Sequence, residues 1–338
     1  MNLGLIGMGY VAQRCHVPAC EETPGVKIIG FSELNQAVIS KYRKRYNYFA
    51  EYKQLLAQQP DGVIIASPSN THVEICIEAL KRGIHVLVEK PLALSVAEAE
   101  RIKAVLSHNS GQLFVGLHLR HSRQVRHLKQ IIKNKALGDV VGFQSVFSNH
   151  HRRRQTVSGY DKKRETGGGV LFDLAYHHVD LFRFLLGLPV SEVSCSVSSN
   201  QHEDDVGFMS LKFGESYSGQ SFFSSVTHNE HLIKVFFTDG IALLDFFKSP
   251  SLYRFDKRNS VTRKLLSEVK YSLTMGMMAL NLFRKVRVEA YLNQVIAFQQ
   301  TLTGQQTDLA TFEDGLAALK VIEAAYQSNH SGRWMQVK

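Results

Sequence analysis

The stretch NLGLIGMGYVA, Asn2 to Ala12, constrains the fold more than any other part of this chain. A short apolar run, Asn2 to Ile6, leads into G-x-G-x-x-A, with glycines at Gly7 and Gly9 and Ala12 at the last position. Each small residue has a purpose in a turn that leaves a parallel strand. Gly7 permits the tight bend, Gly9 lets a pyrophosphate reach the backbone, and Ala12 lets the following helix pack closely with its N-terminal amides toward the anion. Tyr10 and Val11 fill the variable positions and belong to the same binding turn. A helical segment, Tyr10 to Glu22, and a second strand, VKIIGFSE, then place Glu33 where a ribose hydroxyl is expected. A carboxylate there accepts from an unmodified ribose and repels a 2'-phosphate, which favours NAD while leaving NADP open. The plain alternative is a solvent-exposed glutamate after a strand.

The alternation continues. DGVIIAS reads as a buried strand, PSNTHVEICIEALKRG as a helix ending at Gly83, and IHVLVEK as the next strand. Continuous apolar strands such as VIIA and VLV suit a parallel sheet covered on both faces, so a doubly wound Rossmann sheet is expected. Ligands bind beyond the carboxyl ends of such strands. The glycine turn, SPSNTH (Ser67 to His72) and EKP (Glu89 to Pro91) all fall there.

After a helix ending at Gly138 the pattern changes to strands of alternating character: VVGFQSVFS, VSEVSCSVSS, VGFMSLKF, SGQSFFSSVT, HLIKVFFT and IALLDFF. Alternation of this kind marks a mostly antiparallel or mixed open sheet with one face on helices. The fold class is α/β: a Rossmann domain over residues 1–119, then an α+β domain over 120–338 for substrate binding and oligomerisation. The second sheet's other face, rich in Ser and aromatic residues, is expected to form a homodimer or homotetramer.

Composition bounds the partners. With 40 Lys and Arg against 30 Asp and Glu, the net charge is +10, but the basic residues are scattered and no nucleic-acid motif accompanies them. No nucleic-acid partner is expected. Clusters at 150–154 and 161–164 either bind a carboxylate, phosphate or nucleotide-sugar diphosphate, or form a solvated loop. Residues 257–288, with their apolar centre, read as a substrate-facing loop and helix or as a subunit contact. That centre falls short of the ~18 apolar residues that cross a bilayer. Cys15, Cys20, Cys76 and Cys195 lack CxxC spacing and read as reduced, buried thiols. No leader pattern is present, so a cytoplasmic location is expected.

One segment stands out chemically. GGGVLFDLAYHHVDLFRFLLG, Gly167 to Gly187, carries Asp173, His177, His178 and Asp180 in an otherwise apolar run. Buried polar groups cost several kcal/mol each without partners, so a metal site, a structural network and a catalytic site are the three readings. At 100° per residue Asp173, His177 and Asp180 share one stripe while His178 points elsewhere. The three glycines favour close approach to a cofactor or substrate, with a flexible loop as the alternative.

The whole set resembles the Gfo/Idh/MocA family of oxidoreductases, which includes glucose-fructose oxidoreductase and inositol dehydrogenase. GMGYVA, Glu33, SPSNTH, HVLVEKPLA, VGLHLRH, GGGVLFDLAYHHVD and the closing TFEDGLAALKVIEAAYQSNHSGRWMQV occur in that family's order and approximate spacing. The resemblance implies Lys90 beside the nicotinamide, catalytic groups Asp173 and His177, and a cofactor cleft lined by Ser67, Asn70, His72, Glu89 and His118. At His118 many relatives carry Asn. No metal is expected, since no HxxH or Cys partner lies near Asp173 and His177 and hydride transfer needs none where a proton acceptor and a cation are present. Lysine starts near pKa ~10.4 and histidine near ~6.5, so His177 suits acid/base work, Asp173 fixes its tautomer, and Lys90 as a cation stabilises an alkoxide. The expected activity is hydride transfer between NAD(P) and a hydroxyl carbon of a sugar, polyol or sugar derivative, a nucleotide sugar included. The competing readings are a non-catalytic nicotinamide-binding sensor or scaffold and a redox-neutral NAD-dependent glycosidase.

Overall fold

A computed structural model of the chain describes residues 1–150, 163–247, 252–256 and 283–338. The basic stretches 150–154 and 161–164 fall largely outside the described residues, as does most of 257–288. Contacts divide the chain into two compact units, Met1–His121 with Glu165–Gly167 and Arg287–Leu319, and Ser122–Arg164 with Gly168–Val286 and Lys320–Lys338. A single cut at 119/120 differs from this mainly at Arg287–Leu319, which packs with the first unit.

The first unit alternates strand and helix. β1 (Asn2–Ile6) is followed by a helix that opens with a π turn over Ala12–His16 and continues as α1 (Val17–Glu22). Next come β2 (Lys27–Ser32), α2 (Gln36–Tyr42), β3 (Asn47–Phe49), α3 (Tyr52–Leu56) and β4 (Gly62–Ile65). The run ends with α4 (His72–Lys81), β5 (His85–Val88), α5 (Val96–Leu106) and β6 (Leu113–Val115). Side chains start two of these helices. Asn35 accepts from the Ala37 and Val38 amides, and Ser95 from that of Glu98, satisfying donors that the helix cannot pair itself.

All six strands are parallel, in the order β3-β2-β1-β4-β5-β6. Strand order reverses beside β1, so the crevice at the carboxyl ends of β1 and β4 is where such a sheet takes a ligand. The sheet is apolar on both faces because both are covered. Leu3, Leu5, Phe31, Ile64 and Leu87 share a core with Tyr291, Val295 and Phe298 from the late helix Phe283–Leu302. The Phe298 ring meets Phe114 of β6 edge-on at 5.9 Å. This packing is why residues so far along the chain return to the first unit.

The second unit begins with α6 (Arg123–Lys133), capped by the Ser122 hydroxyl, and β7 (Val140–Ser148). Leu171–Ala175 forms a π turn that runs on into α7 (Tyr176–Leu186). The remaining strands are β8 (Glu192–Ser198), β9 (Val206–Phe213), β10 (Tyr217–Ser224), β11 (Glu230–Phe237), β12 (Gly240–Asp245), β13 (Leu252–Asp256) and β14 (Met335–Gln336). They form one mixed sheet, β13-β12-β11-β7-β10-β9-β8-β14, in which only β7 and β10 pair parallel. Period-two burial along β9 and β11 puts apolar side chains on the helix-covered face. There Phe143 stacks on Phe182 of α7 at 3.7 Å. No helix among the described residues is long and apolar enough to cross a membrane. The four cysteines are buried and form no disulfide.

Candidate active site

The glycine turn has the geometry that its sequence demands. Gly7 has φ +83°, and a Cβ on it would lie 2.5 Å from the Ser67 backbone nitrogen, so any side chain there collides with the end of the neighbouring strand. Its own amide donates to the Ser32 carbonyl at 2.9 Å. At Gly9 a Cβ would meet nothing within 4 Å. That open space above the backbone is what an approaching pyrophosphate requires. Tyr10 is 49% exposed and Val11 half-buried at the edge of this opening.

Glu33 is held beside the turn. Its Oε2 accepts from the Met8 amide at 2.7 Å, and its Oε1 from the amides of Leu34 and Asn35 at 2.7 and 2.9 Å. A carboxylate has about four acceptor positions, so this one is fixed in place with one left over, on Oε2, for a ribose hydroxyl. A fixed anion here also disfavours a 2'-phosphate. The residues present therefore fit NAD.

The ends of β4, β5 and β6 bring the other expected residues to the same edge of the sheet. Thr71 donates its hydroxyl to the Pro68 carbonyl at 2.6 Å, so Ser67 must donate in its 2.7 Å contact with Thr71. Asn70 is exposed on the same turn. His72 is fully buried, with Nδ1 at 2.8 Å from the Pro91 carbonyl and Nε2 at 3.0 Å from that of Ser67. Burial lowers its pKa, against the raising effect of these carbonyls and of Glu89. Lys90 is half-buried and precedes a cis peptide bond to Pro91.

Glu89 is buried, and its Oε1 accepts from His16 Nε2 at 2.7 Å while Oε2 takes the Lys90 amide at 3.3 Å. Burial pushes its carboxyl up, but the His16 hydrogen bond and the electrostatics of His16, His118 and Lys90 outweigh that and hold it below the usual carboxylate range. Gly116 leaves the necessary room, since a Cβ there would come within 3.1 Å of the Glu89 carboxyl carbon. Tyr291 closes the cluster, edge-on to His16 at 5.0 Å and stacked on His118 at 4.3 Å. Sequence reasoning missed His16 and Tyr291. A lone histidine in AQRCHVPA was the sole local signal, and its partner lies 73 positions away.

In the second unit the helix carrying Asp173 and His177 is not uniformly α. The π turn over Leu171–Ala175 widens it, so the even 100° step between Asp173 and His177 does not hold. Asp173 is half-buried and donates its amide to Gly169 at 2.9 Å, while His177 is 7% and Asp180 1% exposed. Asp180 thus lies deeper than Asp173.

His178 belongs to a buried chain of hydrogen bonds. Ser145 donates to Ser221 at 2.8 Å, so it accepts from His178 Nδ1, also at 2.8 Å. The Nε2 of the neutral ring then accepts from His231 Nε2 at 3.0 Å. Burial pushes the His178 pKa down to about 3. Packing also accounts for the glycines. A Cβ on Gly169 would meet Asp204 Cβ at 2.9 Å and one on Gly167 would meet Ser69 Oγ at 2.8 Å. At both positions the close neighbour is a side chain of the protein. Among the described residues no three His, Cys, Asp or Glu side chains form a metal-holding group.

Residues 1–117 match the oxidoreductase family model described as an NAD-binding Rossmann fold, and residues 129–337 match the C-terminal alpha/beta domain of the same family. The chain is 29% identical over 188 residues to glucose-6-phosphate 3-dehydrogenase of Bacillus subtilis, covering 54% of this chain and 53% of that one. It is 23% identical to myo-inositol 2-dehydrogenase of Thermotoga maritima, covering 100% of this chain and 99% of the relative. For several curated relatives the matched stretch spans only about half of their length. Among solved structures, the WlbA dehydrogenase of Bordetella pertussis, in complex with NADH and UDP-GlcNAcA, superposes with a TM-score of 0.83 at 19% identity, covering 100% of this chain and 98% of that one.

Proposed function

The chain belongs to the Gfo/Idh/MocA family of oxidoreductases, and from that premise we propose that it is an NAD-dependent dehydrogenase acting on a hydroxyl carbon of a sugar, polyol or sugar derivative. The observation that carries the reading is the convergence of Gly7, Glu33, Ser67 and Lys90 at the carboxyl ends of β1, β2, β4 and β5. NAD, when bound, accepts the hydride from the substrate carbon. Glu33 and the glycine turn hold its ribose and pyrophosphate. His177 takes the proton that the substrate hydroxyl loses, and Asp173 orients the ring. Lys90 is the cation that stabilises the oxygen as negative charge develops on it. Relatives named for glucose 6-phosphate and myo-inositol, and a neighbour crystallised with a nucleotide sugar, support a carbohydrate-like substrate.

The open sheet of the second unit supports a homo-oligomer. Strand register lines up Phe208, Phe222, Val146 and Leu232 in one rung across β9, β10, β7 and β11. Phe208 is 59% exposed, and its ring lies 4.9 Å from that of Phe222. Exposed aromatic rows of this kind are costly unless a second surface covers them.

The test is NADH formation across sugars, polyols, sugar acids and nucleotide sugars at several pH values. The reading predicts stoichiometric NADH with at least one class. Tight NAD binding with no reduction by any class would instead favour a nicotinamide-binding sensor, and sugar release without net NADH a redox-neutral glycosidase.

A further inference from the structure

The proposed cation, Lys90, sits in a turn whose backbone is gripped from both sides by buried histidines. On one side the Lys90 amide reaches Glu89 Oε2 at 3.3 Å, and the other oxygen of that carboxylate is held by His16 at 2.7 Å. On the other side His72 Nδ1 reaches the carbonyl of Pro91 at 2.8 Å, while its Nε2 reaches that of Ser67 at 3.0 Å. His16 and His72 are 0% and 1% exposed, so neither ring presents a surface to a cofactor or substrate.

We infer that His16 and His72 are positioning residues for Lys90, His16 acting through the Glu89 carboxylate and His72 by holding the Pro91 carbonyl from its place at the start of α4. The inference rests on the reading of Lys90 as the alkoxide-stabilising cation.

The chemistry favours this over simple filling of space. A buried carboxylate with one oxygen on an imidazole N–H and the other on the Lys90 amide cannot move without giving up one of these hydrogen bonds. Two carbonyls compete for the His72 ring, and a neutral imidazole has one N–H to give. Glu89 and Lys90 are the charged groups that act on it, one favouring and one opposing a second proton. In the neutral ring the proton belongs on Nδ1, at the shorter contact, so the ring donates to Pro91 and Nε2 has no N–H to give Ser67.

That asymmetry supplies a test. The amide nitrogen of an asparagine reproduces the position of His Nδ1, and that of a glutamine the position of Nε2. His72→Asn therefore keeps the bond to Pro91, and His72→Gln moves the donor to the Ser67 carbonyl and loses the bond to Pro91. The readout is the labelling rate of the Lys90 amine by an amine-reactive reagent at fixed pH, followed by mass spectrometry with the exposed lysines as internal standards. A loosened turn releases the half-buried amine to solvent. His72→Gln should raise the Lys90 rate about tenfold, the scale of one lost hydrogen bond, and His72→Asn should leave it within about twofold of the wild type. His16→Leu should behave like His72→Gln, and His16→Gln, which keeps a donor toward Glu89, like the wild type. Circular dichroism checks that each variant folds. Should His16→Leu fail to fold, the His72 pair decides alone, because its two members differ by one methylene.

Equal rates for His72→Asn and His72→Gln, whether both raised or both unchanged, would overturn the inference. Protection of Lys90 by added NAD in the wild type is a separate readout for the proposed function. Loss of that protection with the His72 asymmetry intact refutes the place of Lys90 beside the nicotinamide but not its positioning.

Discussion

Acidification should loosen the second unit through one buried histidine, by an amount that follows from its surroundings. His178 Nδ1 donates to Ser145 and Nε2 accepts from His231. A proton added to Nε2 would set two N–H groups against each other in a site without water access. Burial accordingly lowers the His178 pKa from 6.5 to about 3. Between those values the unfolded chain binds the proton and the folded chain does not. Stability therefore rises with pH across this window, is fully present above about 6.5, and is lost as the pH falls toward 3. Each unit is worth about 1.36 kcal/mol, so pH 5 should cost about 2 kcal/mol relative to pH 7. Hydrogen exchange of the α7 amides, corrected for intrinsic rates, reads the opening free energy of this region without assuming that the two units unfold together. His178→Gln removes the titration and keeps an amide at the same place. Its pH dependence between 7 and 5 should be flatter than that of the wild type by about 2 kcal/mol. Identical slopes for the two proteins would refute the reasoning.

Three other outcomes follow from the geometry. Glu33→Ser removes the acceptor for three backbone amides and for the ribose, so NAD affinity measured by titration should fall about tenfold or more while discrimination against NADP shrinks. Gly7→Ala forces a side chain into a left-handed conformation and against the Ser67 backbone, and the first unit should lose at least about 2 kcal/mol in urea unfolding. Phe222→Asp places a charge in the exposed aromatic rung, and sedimentation should show a smaller species than the wild type if copies of the chain associate there.

Much of the first unit was legible because its signals are local. The strand, the glycine spacing and Glu33 lie within a few tens of residues, and the apolar runs VIIA and VLV admit few structures other than buried parallel strands. In the second unit period-two alternation located β7 and β9 without error, since each residue's face is set by its neighbours. What escaped depends on distant contacts. Nothing in the local sequence of Tyr291 says that it packs between His16 and His118, and nothing in VLVEKP says that a histidine near residue 16 holds the glutamate. The π turn at Leu171–Ala175 was likewise invisible, because an apolar run is compatible with either helical pitch. The close neighbours of Gly167 and Gly169, Ser69 and Asp204, are likewise distant in sequence.

In the proposed reaction His177 handles the substrate proton and Lys90 the developing negative charge. These roles are tested most directly by the turnover number of His177→Ala and Lys90→Ala on whichever carbohydrate reduces NAD, with NAD affinity measured alongside. Turnover should fall by about 10²–10⁴ in His177→Ala and about 10²–10³ in Lys90→Ala, with NAD affinity changed less than about tenfold. Turnover within a few-fold of the wild type in either variant would contradict them.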